Sequence, residues 1–410
     1  MSENEAMVRY LLCADWSKEQ KGRALYVANV AKREVRRVRH FPLTLDSALA
    51  HASELARQGG VLLSFDLPLG LPHSFLSAIR SLSGWESAFN FPRFLPIAAQ
   101  APSFFMGQTD PSQWSLRQPF FIVPAGAGAR ANFEQAAQRA GIQLRRRIDI
   151  RTGGNPTFIT AGIPGSVGSA AIDVWLALAR LLPLPREFKI WPFEGSLPDL
   201  FTAVPIVIAE NYPRAAYAAA FSAVSSTQRA RMRLSKSRAE IRHEAIRCLL
   251  SRQWVHDSGV ELYDTDAALA DENEFDALVT ATGLLRLVIE GEPLSSSAFE
   301  DPVAEGGILG TGTINFDLPE GDFIPDRGKG NVETFNRSFN VSSKPRLRAG
   351  ARAEFRCPIP NCTKVFVGSR GGWDAHVGTP RMHPNWEPEI RDHRERLRVF
   401  RAQYPKFFGY

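Results

Sequence analysis

The order of apolar and polar positions in the first 70 residues predicts a small mixed sheet. Two continuous apolar runs have the character of buried strands, and between them lie two segments in which apolar and polar residues alternate. A stretch with apolar residues at helical spacing precedes the second apolar run. The predicted elements are strands at residues 8–15, 23–30 and 34–41, a helix at residues 44–57 and a strand at residues 61–66.

The remainder of the body alternates predicted helices and strands around one irregular region. Residues 73–160 are rich in Phe and Pro and predict an insertion with short helices. Beyond the insertion, the predicted helices are at residues 165–182, 214–222, 235–253 and 273–289, and the predicted strands at residues 188–194 and 204–210. The predicted organisation is an α/β body at residues 1–310, a linker or irregular edge at residues 311–350, and a tail at residues 351–410.

The positive charge of the chain is concentrated near its C-terminus. The 410 residues carry a formal net charge of +6, but residues 344–410 alone carry +8, with 14 Lys or Arg and 6 Asp or Glu. A basic module beside a nearly neutral body predicts an appended element that binds nucleic acid. A solvated arginine-rich surface is the alternative, since the whole chain has 40 Arg and only 9 Lys.

The composition predicts a cytoplasmic protein with no membrane partner. No apolar run approaches the roughly 18 residues of a membrane span, and the N-terminal segment lacks the cationic start and apolar core of a signal peptide. Four cysteines in 410 residues do not make a disulfide scaffold, which fits a reducing cytosol.

Carboxylates stand at the ends of three predicted strands. Asp15, Asp66 and Glu210 each end an apolar run, and Asp276 lies in the first turn of a late predicted helix. If the strands of Asp15 and Asp66 are parallel neighbours, the two carboxylates lie side by side at one edge of the sheet. Carboxylates so placed repel each other unless a cation lies between them, and Mg²⁺ or Mn²⁺ prefers such oxygen ligands. The set predicts a catalytic metal site, whereas any one acid alone favours a helix or turn cap.

Six segments, taken in order, resemble one protein family. They are LLCADWS (residues 11–17), SFDLPLGLP (64–72), KIWPFEG (189–195), AENYPRAAY (209–217), SKSRAEIRHEAI (235–246) and ENEFDALVTA (272–281). Over roughly residues 8–310 the chain is similar to the "domain of unknown function 429" family, whose members are regarded as RNase H-like nucleases. The resemblance implies an RNase H-like mixed sheet flanked by helices. It also implies that Asp15, Asp66, Glu210 and Asp276 are the metal-binding acids.

A basic run precedes the helix predicted at residues 235–253. Its charged residues are Arg229, Arg231, Arg233, Lys236 and Arg238. The run could line a groove that leads to the acids, or it could form an ordinary solvated turn. Arg214 leaves a similar choice open, between a phosphate contact and a surface ion pair.

The tail contains two Cys and two His at spacings close to those of a C₂H₂ zinc finger. Four residues separate Cys357 from Cys362, thirteen separate Cys362 from His376, and six separate His376 from His383. A module of about 30 residues buries too little apolar surface to fold alone, so a structural Zn²⁺ is predicted to stabilise it. Gly and Pro interrupt the segment between the two His, which leaves His393 as an alternative fourth ligand.

Arginines flank the predicted finger on both sides. They are Arg346, Arg348, Arg352, Arg356, Arg391, Arg394, Arg396, Arg398 and Arg401. A single finger reads about three base pairs, so its expected use is to anchor nucleic acid, with protein binding as the competing use.

The sequence as a whole predicts a metal-dependent nuclease that hydrolyses phosphodiester bonds of DNA or RNA. One rival is a catalytically silent RNase H-like protein that binds nucleic acid. A second is a hydrolase of a small phosphorylated metabolite with a protein-binding finger. A third is an ATPase related to actin, but residues 16–22, WSKEQKG, lack the Gly-rich turn that binds phosphate in such proteins.

Overall fold

The chain forms two compact units in a computed structural model. The first is Met1–Phe339 and the second is Asn340–Tyr410. In the first unit the structure describes residues 3–39, 42–125, 128–163, 165–182, 187–222 and 229–323. In the second unit it describes residues 354–360, 362–363, 365–367, 376–377, 383–390 and 392–404. Most of the linker predicted at residues 311–350 therefore lies outside the described residues.

Helices and short strands alternate along the first unit. The strands are β1 (Tyr10–Asp15), β2 (Ala24–Asn29), β3 (Glu34–Arg37), β4 (Val61–Phe65), β5 (Phe121–Ile122), β6 (Ile159–Ala161), β7 (Phe188–Ile190), β8 (Ile206–Asn211), β9 (Met232–Arg233), β10 (Glu261–Leu262), β11 (Ile308–Leu309) and β12 (Gly321–Asp322). The helices are α1 (Glu3–Met7), α2 (Leu45–Ala56), α3 (His73–Ile79), α4 (Phe91–Ala99), α5 (Ala129–Arg139), α6 (Arg147–Thr152), α7 (Gly168–Leu181), α8 (Leu197–Ala203), α9 (Pro213–Phe221), α10 (Ala239–Leu250), α11 (Gln253–Ser258), α12 (Thr265–Ala270) and α13 (Glu272–Glu290). The second unit contains β13 (Glu354–Arg356), β14 (Val365–Val367) and α14 (His393–Gln403).

Eight strands of the described residues form one mixed sheet. Their order is β10-β3-β2-β1-β4-β8-β11, and β7 pairs with the beginning of β8 on the edge that β11 extends. β2 runs antiparallel to β1 and β3, whereas β4 and β8 run parallel to β1. The predicted succession of three strands, a helix and a strand is present. The prediction of an α/β fold with a mixed sheet flanked by helices is confirmed.

Three predicted elements differ clearly from the structure in their bounds, among them the strand predicted at residues 34–41, which ends at Arg37. The helix predicted at residues 235–253 is divided into α10 and α11, because Arg252 has an extended backbone between them. The strand predicted at residues 188–194 ends at Ile190, whose amide donates a hydrogen bond of 2.8 Å to the Glu194 carboxylate across a turn. The spacing of apolar residues alone does not predict either of these two interruptions.

The central strands are buried on both faces. Successive residues enter two different cores: Leu12 and Ile208 pack with α2, α4 and α7, whereas Leu11 and Val207 pack with α9 and α13. A sheet covered on both faces produces strands that are continuous apolar runs. For this reason the sequences of β1, β4 and β8 do not reveal which face each residue takes.

Helix α13 lies buried against one face of the sheet. All of its residues from 274 to 288 are buried, and it packs against α9, β1 and β2. A Cβ atom at Gly283 would lie only 2.4 Å from the main-chain oxygen of Ala216, so the missing side chain allows α13 and α9 to approach closely. This close pair of helices carries Asp276 and Tyr217 to the edge of the sheet.

The insertion at residues 73–160 contains short helices, as predicted, and its buried side chains join the core on one face of the sheet. Its phenylalanine rings pack around Trp175 of α7, with ring centroids 5.1 Å away for Phe91 and 6.1 Å away for Phe120. The Phe-rich composition therefore supplies buried aromatic surface. Arg146 fastens the insertion to the sheet through Glu210 of β8.

The chain returns to the sheet after α13. β11 pairs with β8, and β12 pairs with β9 in a separate two-stranded sheet, and Ile314 and Phe323 of this segment pack into the core of the first unit. None of the helices in the described part of the chain combines the length and the apolar character that a membrane crossing requires.

Candidate metal centres

Three aspartates meet at the edge of the sheet where the parallel strands end. Asp15 is the last residue of β1, Asp66 directly follows β4, and Asp276 lies on α13. One carboxylate oxygen from each lies within 4.8 Å of the others. The main chain fixes this proximity, because the amide of Asp66 donates a hydrogen bond of 2.9 Å to the carbonyl oxygen of Ala14. The prediction that Asp15 and Asp66 lie side by side on parallel neighbours is confirmed.

The three carboxylates of this aspartate cluster are protonated more readily than ordinary acids. Desolvation, followed by the charges of Asp276 and Asp66, raises the pKa of Asp15 well above its usual value. Desolvation also raises the pKa of Asp66 to about 7 and raises that of Asp276. Burial and like charges both disfavour the ionised form, and a bound cation would reverse this effect.

One ammonium group lies among the three acids. Lys236 forms an ion pair with Asp276, and its Nζ lies 4.0 Å from Oδ2 of Asp15. Desolvation tends to lower the pKa of Lys236, but the charges of Asp276 and Asp15 outweigh it and raise that pKa. The buried hydroxyl of Tyr217 donates a hydrogen bond to the same carboxylate of Asp276. The sequence placed Lys236 only in a basic run, and no sequence signal identified Tyr217.

Glu210 does not join the aspartate cluster. Strand alternation places it on the face of Ile208, whereas Asp15 and Asp66 lie on the face of α13. Both Glu210 carboxylate oxygens accept hydrogen bonds of 2.6 Å from Arg146, and Oε2 also accepts one of 2.8 Å from the amide of Leu69. The carboxylate predicted to bind a metal is thus the partner of a buried arginine.

Asn211 occupies the position that Glu210 was expected to fill. Glu210 pairs with Phe65, so Asn211 is level with Asp66 and faces the same side of the sheet. Its Nδ2 donates a hydrogen bond of 2.9 Å to Ser64 Oγ, and its buried Oδ1 accepts none from the described residues. The alternation of side chains along β8 would have identified Asn211, but only if the register between β4 and β8 had been known.

The residues of the basic run, together with Arg214, are mostly engaged in ion pairs. These pairs are Arg229 with Glu290 and Glu292, Arg233 with Asp322, Arg238 with Glu240, and Arg214 with Glu320. Lys236 is part of the cluster itself. Arg231 forms no ion pair with the described residues. The predicted basic run is therefore neither a uniform groove nor a plain solvated turn.

Two Cys and two His side chains converge in the second unit. The ligand atoms of Cys357, Cys362, His376 and His383 lie within 4.8 Å of one another. The Nε2 atoms of the two histidines are 3.0 Å apart, and Cys362 Sγ is 3.3 Å from Nε2 of His376. The ligands of a tetrahedral zinc site are about 3.3–3.8 Å apart, so this Cys/His cluster fits zinc. The side chain of His393, the alternative ligand, lies outside the described part of the chain.

Arg396 is a structural residue of the second unit rather than part of a basic surface. It is 1% exposed and donates hydrogen bonds of 2.8–3.3 Å to five main-chain carbonyl groups. These carbonyls belong to Val377, His383, Trp386, Glu387 and Ile390. Arg396 thus joins α14 to the segments that carry His376 and His383, and it is unavailable to phosphate.

Compared with known proteins, the chain matches no family model, no curated protein and no solved structure. The chemistry of the two clusters follows from their donor atoms. Three carboxylates against one ammonium leave a negative charge that suits a hard divalent cation. Two thiols and two imidazoles suit zinc in a closed site.

Proposed function

We propose that the first unit is a metal-dependent nuclease with an RNase H-like fold, related to the "domain of unknown function 429" family. The observation that carries this proposal is the convergence of Asp15, Asp66 and Asp276 within 4.8 Å at the ends of parallel strands. The edge of an α/β sheet where parallel strands end is the usual place for chemistry. The strand order, with three antiparallel strands followed by two parallel ones, supports the fold assignment.

Mg²⁺ or Mn²⁺ is the cation that the aspartate cluster would hold. A divalent ion there would polarise a water molecule and stabilise the leaving oxygen of a phosphodiester. The chain itself orients the acids: Tyr217 and Lys236 both bind the carboxylate of Asp276, and the register of β1 and β4 fixes the other two. Since Asp66 has a pKa of about 7 without a cation, metal binding should strengthen as the pH rises through neutrality.

A catalytically silent nucleic-acid-binding protein is the second candidate. The ion pair between Lys236 and Asp276 favours it, because an internal ammonium neutralises part of the charge that a metal would otherwise balance. The two candidates differ in a measurable way. A nuclease needs a cation that competes with Lys236, whereas a silent protein shows no response to Mg²⁺ or Mn²⁺.

The second unit is proposed to be a zinc-finger module that anchors nucleic acid. The fit of the Cys/His cluster to zinc supports the metal, and the net charge of +8 over residues 344–410 supports a polyanionic partner. The burial of Arg396 and the pairing of Arg398 with Glu395 reduce the number of arginines available for phosphate. A protein partner is the competing use of the module.

The deciding experiment is incubation of the full chain with labelled single- and double-stranded DNA and RNA, in Mg²⁺, Mn²⁺ or EDTA. We expect cleavage with either metal and none in EDTA. Asp66→Asn keeps the size of the side chain but removes its charge, so the rate should fall at least about 100-fold. Asp257→Asn, an exposed aspartate on α11, is the matched control and should leave the rate unchanged. Equal cleavage by the wild type and Asp66→Asn would place the activity elsewhere.

A further inference from the structure

Arg231 is a cationic side chain for which the described residues provide no counter-charge. Its Nε is buried and donates no hydrogen bond to the described residues, and none of its nitrogens forms an ion pair with a described carboxylate. The other residues of the basic run all have carboxylate partners. A buried guanidinium donor without a partner is costly, and native proteins satisfy such donors with a ligand or water.

The guanidinium of Arg231 is confined by its surroundings. A Cβ atom added at Gly153 would lie 3.7 Å from Nη1 of Arg231, so the glycine turn after α6 passes close to it. On another side, the ring of Phe316 lies 5.9 Å from the Cζ atom. Arginine donors arranged in a planar fork bind the oxygen atoms of a phosphate in pairs, and confinement reduces the entropy lost on binding.

The main chain of Arg231 lies next to Glu320, the ion-pair partner of Arg214. The carbonyl oxygen of Arg231 accepts a hydrogen bond of 2.9 Å from the amide of Gly321, and the adjacent Glu320 binds Nη1 of Arg214 at 3.1 Å. Arg214 is the second residue of α9, three residues beyond the end of β8, and its charge opposes the desolvation that raises the pKa of Asp66. The charges of Arg214, Asp66 and Arg231 all act on the hydroxyl of Tyr212, whose pKa burial raises to about 12, so the three charged groups lie around that hydroxyl.

We propose that Arg231, with Arg214 beside it, forms an anion subsite that binds a backbone phosphate of the nucleic-acid strand next to the bond that is cut. The inference rests on the proposed function. A cation site and an adjacent arginine fork suit a chain of phosphates, because the metal takes one phosphate and the arginine positions its neighbour. Arg214 shares its charge with Glu320, so Arg231 makes the stronger contact.

The subsite can be tested without cleavage by titrating the full chain with inorganic pyrophosphate in buffer without added Mg²⁺ or Mn²⁺, measured by calorimetry. Arg231→Met should weaken binding at least about tenfold, as expected for loss of a charge-assisted pair of hydrogen bonds. Arg233→Met, an exposed arginine two residues along the same run and paired with Asp322, is the matched control and should bind like the wild type. Arg231→Lys keeps the charge and should recover part of the affinity. Equal binding by all four proteins would overturn the subsite.

A salt titration of nucleic-acid binding in buffer without added Mg²⁺ or Mn²⁺ tests whether the partner is a strand. Arg231→Met should reduce the log–log salt slope by about one unit, whereas Arg233→Met should not. An unchanged slope together with weakened pyrophosphate binding would overturn nucleic acid as the partner in favour of a small phosphorylated ligand. If the wild type cleaves nothing in Mg²⁺ or Mn²⁺, the nuclease proposal fails, and the two binding titrations still decide the subsite.

Discussion

The three side chains of the aspartate cluster come from positions as far apart in the sequence as 15 and 276, whereas the four side chains of the Cys/His cluster lie within residues 357–383. In the first unit, a large hydrophobic core on both faces of the sheet holds like charges together. In the second unit, the buried apolar core of the described residues consists of Cys357, Ile359, Val377 and Phe400. Cys357 is itself a member of the Cys/His cluster, and Val377 is adjacent to His376. The fold of the first unit therefore creates its site, whereas in the second unit the proposed zinc would supply much of the free energy of folding.

Removal of zinc should give the largest difference between the two units. Structural zinc in small fingers supplies an apparent free energy of about 10–16 kcal/mol, so chelation should unfold the second unit and leave the first intact. Helical signal from α14 should disappear, and the melting transition of the first unit should not move. Cys362→Ser should do the same, with Cys248→Ser of α10 as control. A second unit that keeps its dispersed NMR signals in chelator would contradict the comparison.

Replacement of Lys236 by Met should sharpen the contrast within the first unit. Without the ammonium, the three carboxylates lose their internal counter-charge, and the metal-free unit should lose about 1–3 kcal/mol at neutral pH. Mg²⁺ should then stabilise the variant more than the wild type, because no internal cation competes. Lys189→Met removes an exposed pair with Glu194 and should change stability by less than about 0.5 kcal/mol. An unaltered Mg²⁺ response would contradict the competition between metal and Lys236.

The stability of the metal-free first unit should fall as the pH rises from about 4 to about 7. Asp66 has a folded-state pKa of about 7 because of desolvation, against an ordinary value of 3.8. In that window the folded protein keeps a proton that the unfolded chain has lost, so unfolding becomes more favourable with rising pH. Asp15 and Asp276 shift in the same direction.

Each such group contributes a slope of at most about 1.4 kcal/mol per pH unit. Asp66→Asn should reduce this slope and raise stability above pH 7, and saturating Mg²⁺ should flatten it in the wild type. Urea denaturation at a series of pH values measures both effects. Identical slopes for the wild type and Asp66→Asn would show that Asp66 titrates normally.

The smallest effect is expected at Arg396, the buried arginine of the second unit. Arg396→Met removes hydrogen bonds to the segments carrying His376 and His383, and zinc affinity should fall about tenfold, as for other residues that orient metal ligands. Arg398→Met, which breaks only an exposed pair with Glu395, should leave the affinity unchanged. Competition with a coloured chelator measures both. Equal losses would mean that general destabilisation, rather than ligand positioning, controls affinity.

The sequence predicted the parts of the sites that depend on chain order. Apolar runs located β1 and β4, and the acid after each run located Asp15 and Asp66. The C₂H₂ spacing located all four members of the Cys/His cluster, including His383. Both predictions rest on local patterns, which a single sequence displays directly.

The rest of the aspartate cluster depends on facing and on long-range packing. The prediction for Glu210 was wrong because a strand that is buried on both faces is apolar throughout, so its sequence does not show which face each residue occupies. The neighbouring Asn211 lies on the face of the aspartate cluster instead. Lys236 and Tyr217 reach Asp276 from elements far apart in the chain. Arg396 was expected on a basic surface, but an arginine that binds carbonyl groups has the same sequence signature as one that binds phosphate.

The close approach of Gly283 to Ala216 sets how far Asp276 lies from Asp15 and Asp66. Gly283 lies seven residues beyond Asp276, about two turns along α13, and any side chain there would push the helix away from α9. Such a displacement would widen the gap between Asp276 and the two strand-borne aspartates without changing a ligand. Because Mg²⁺ demands a tighter shell than Ca²⁺, the cation preference of the proposed metal site would depend partly on a residue that has no side chain. A substitution at the contact between α9 and α13 could therefore change which cation the proposed site prefers, without changing any of the three aspartates.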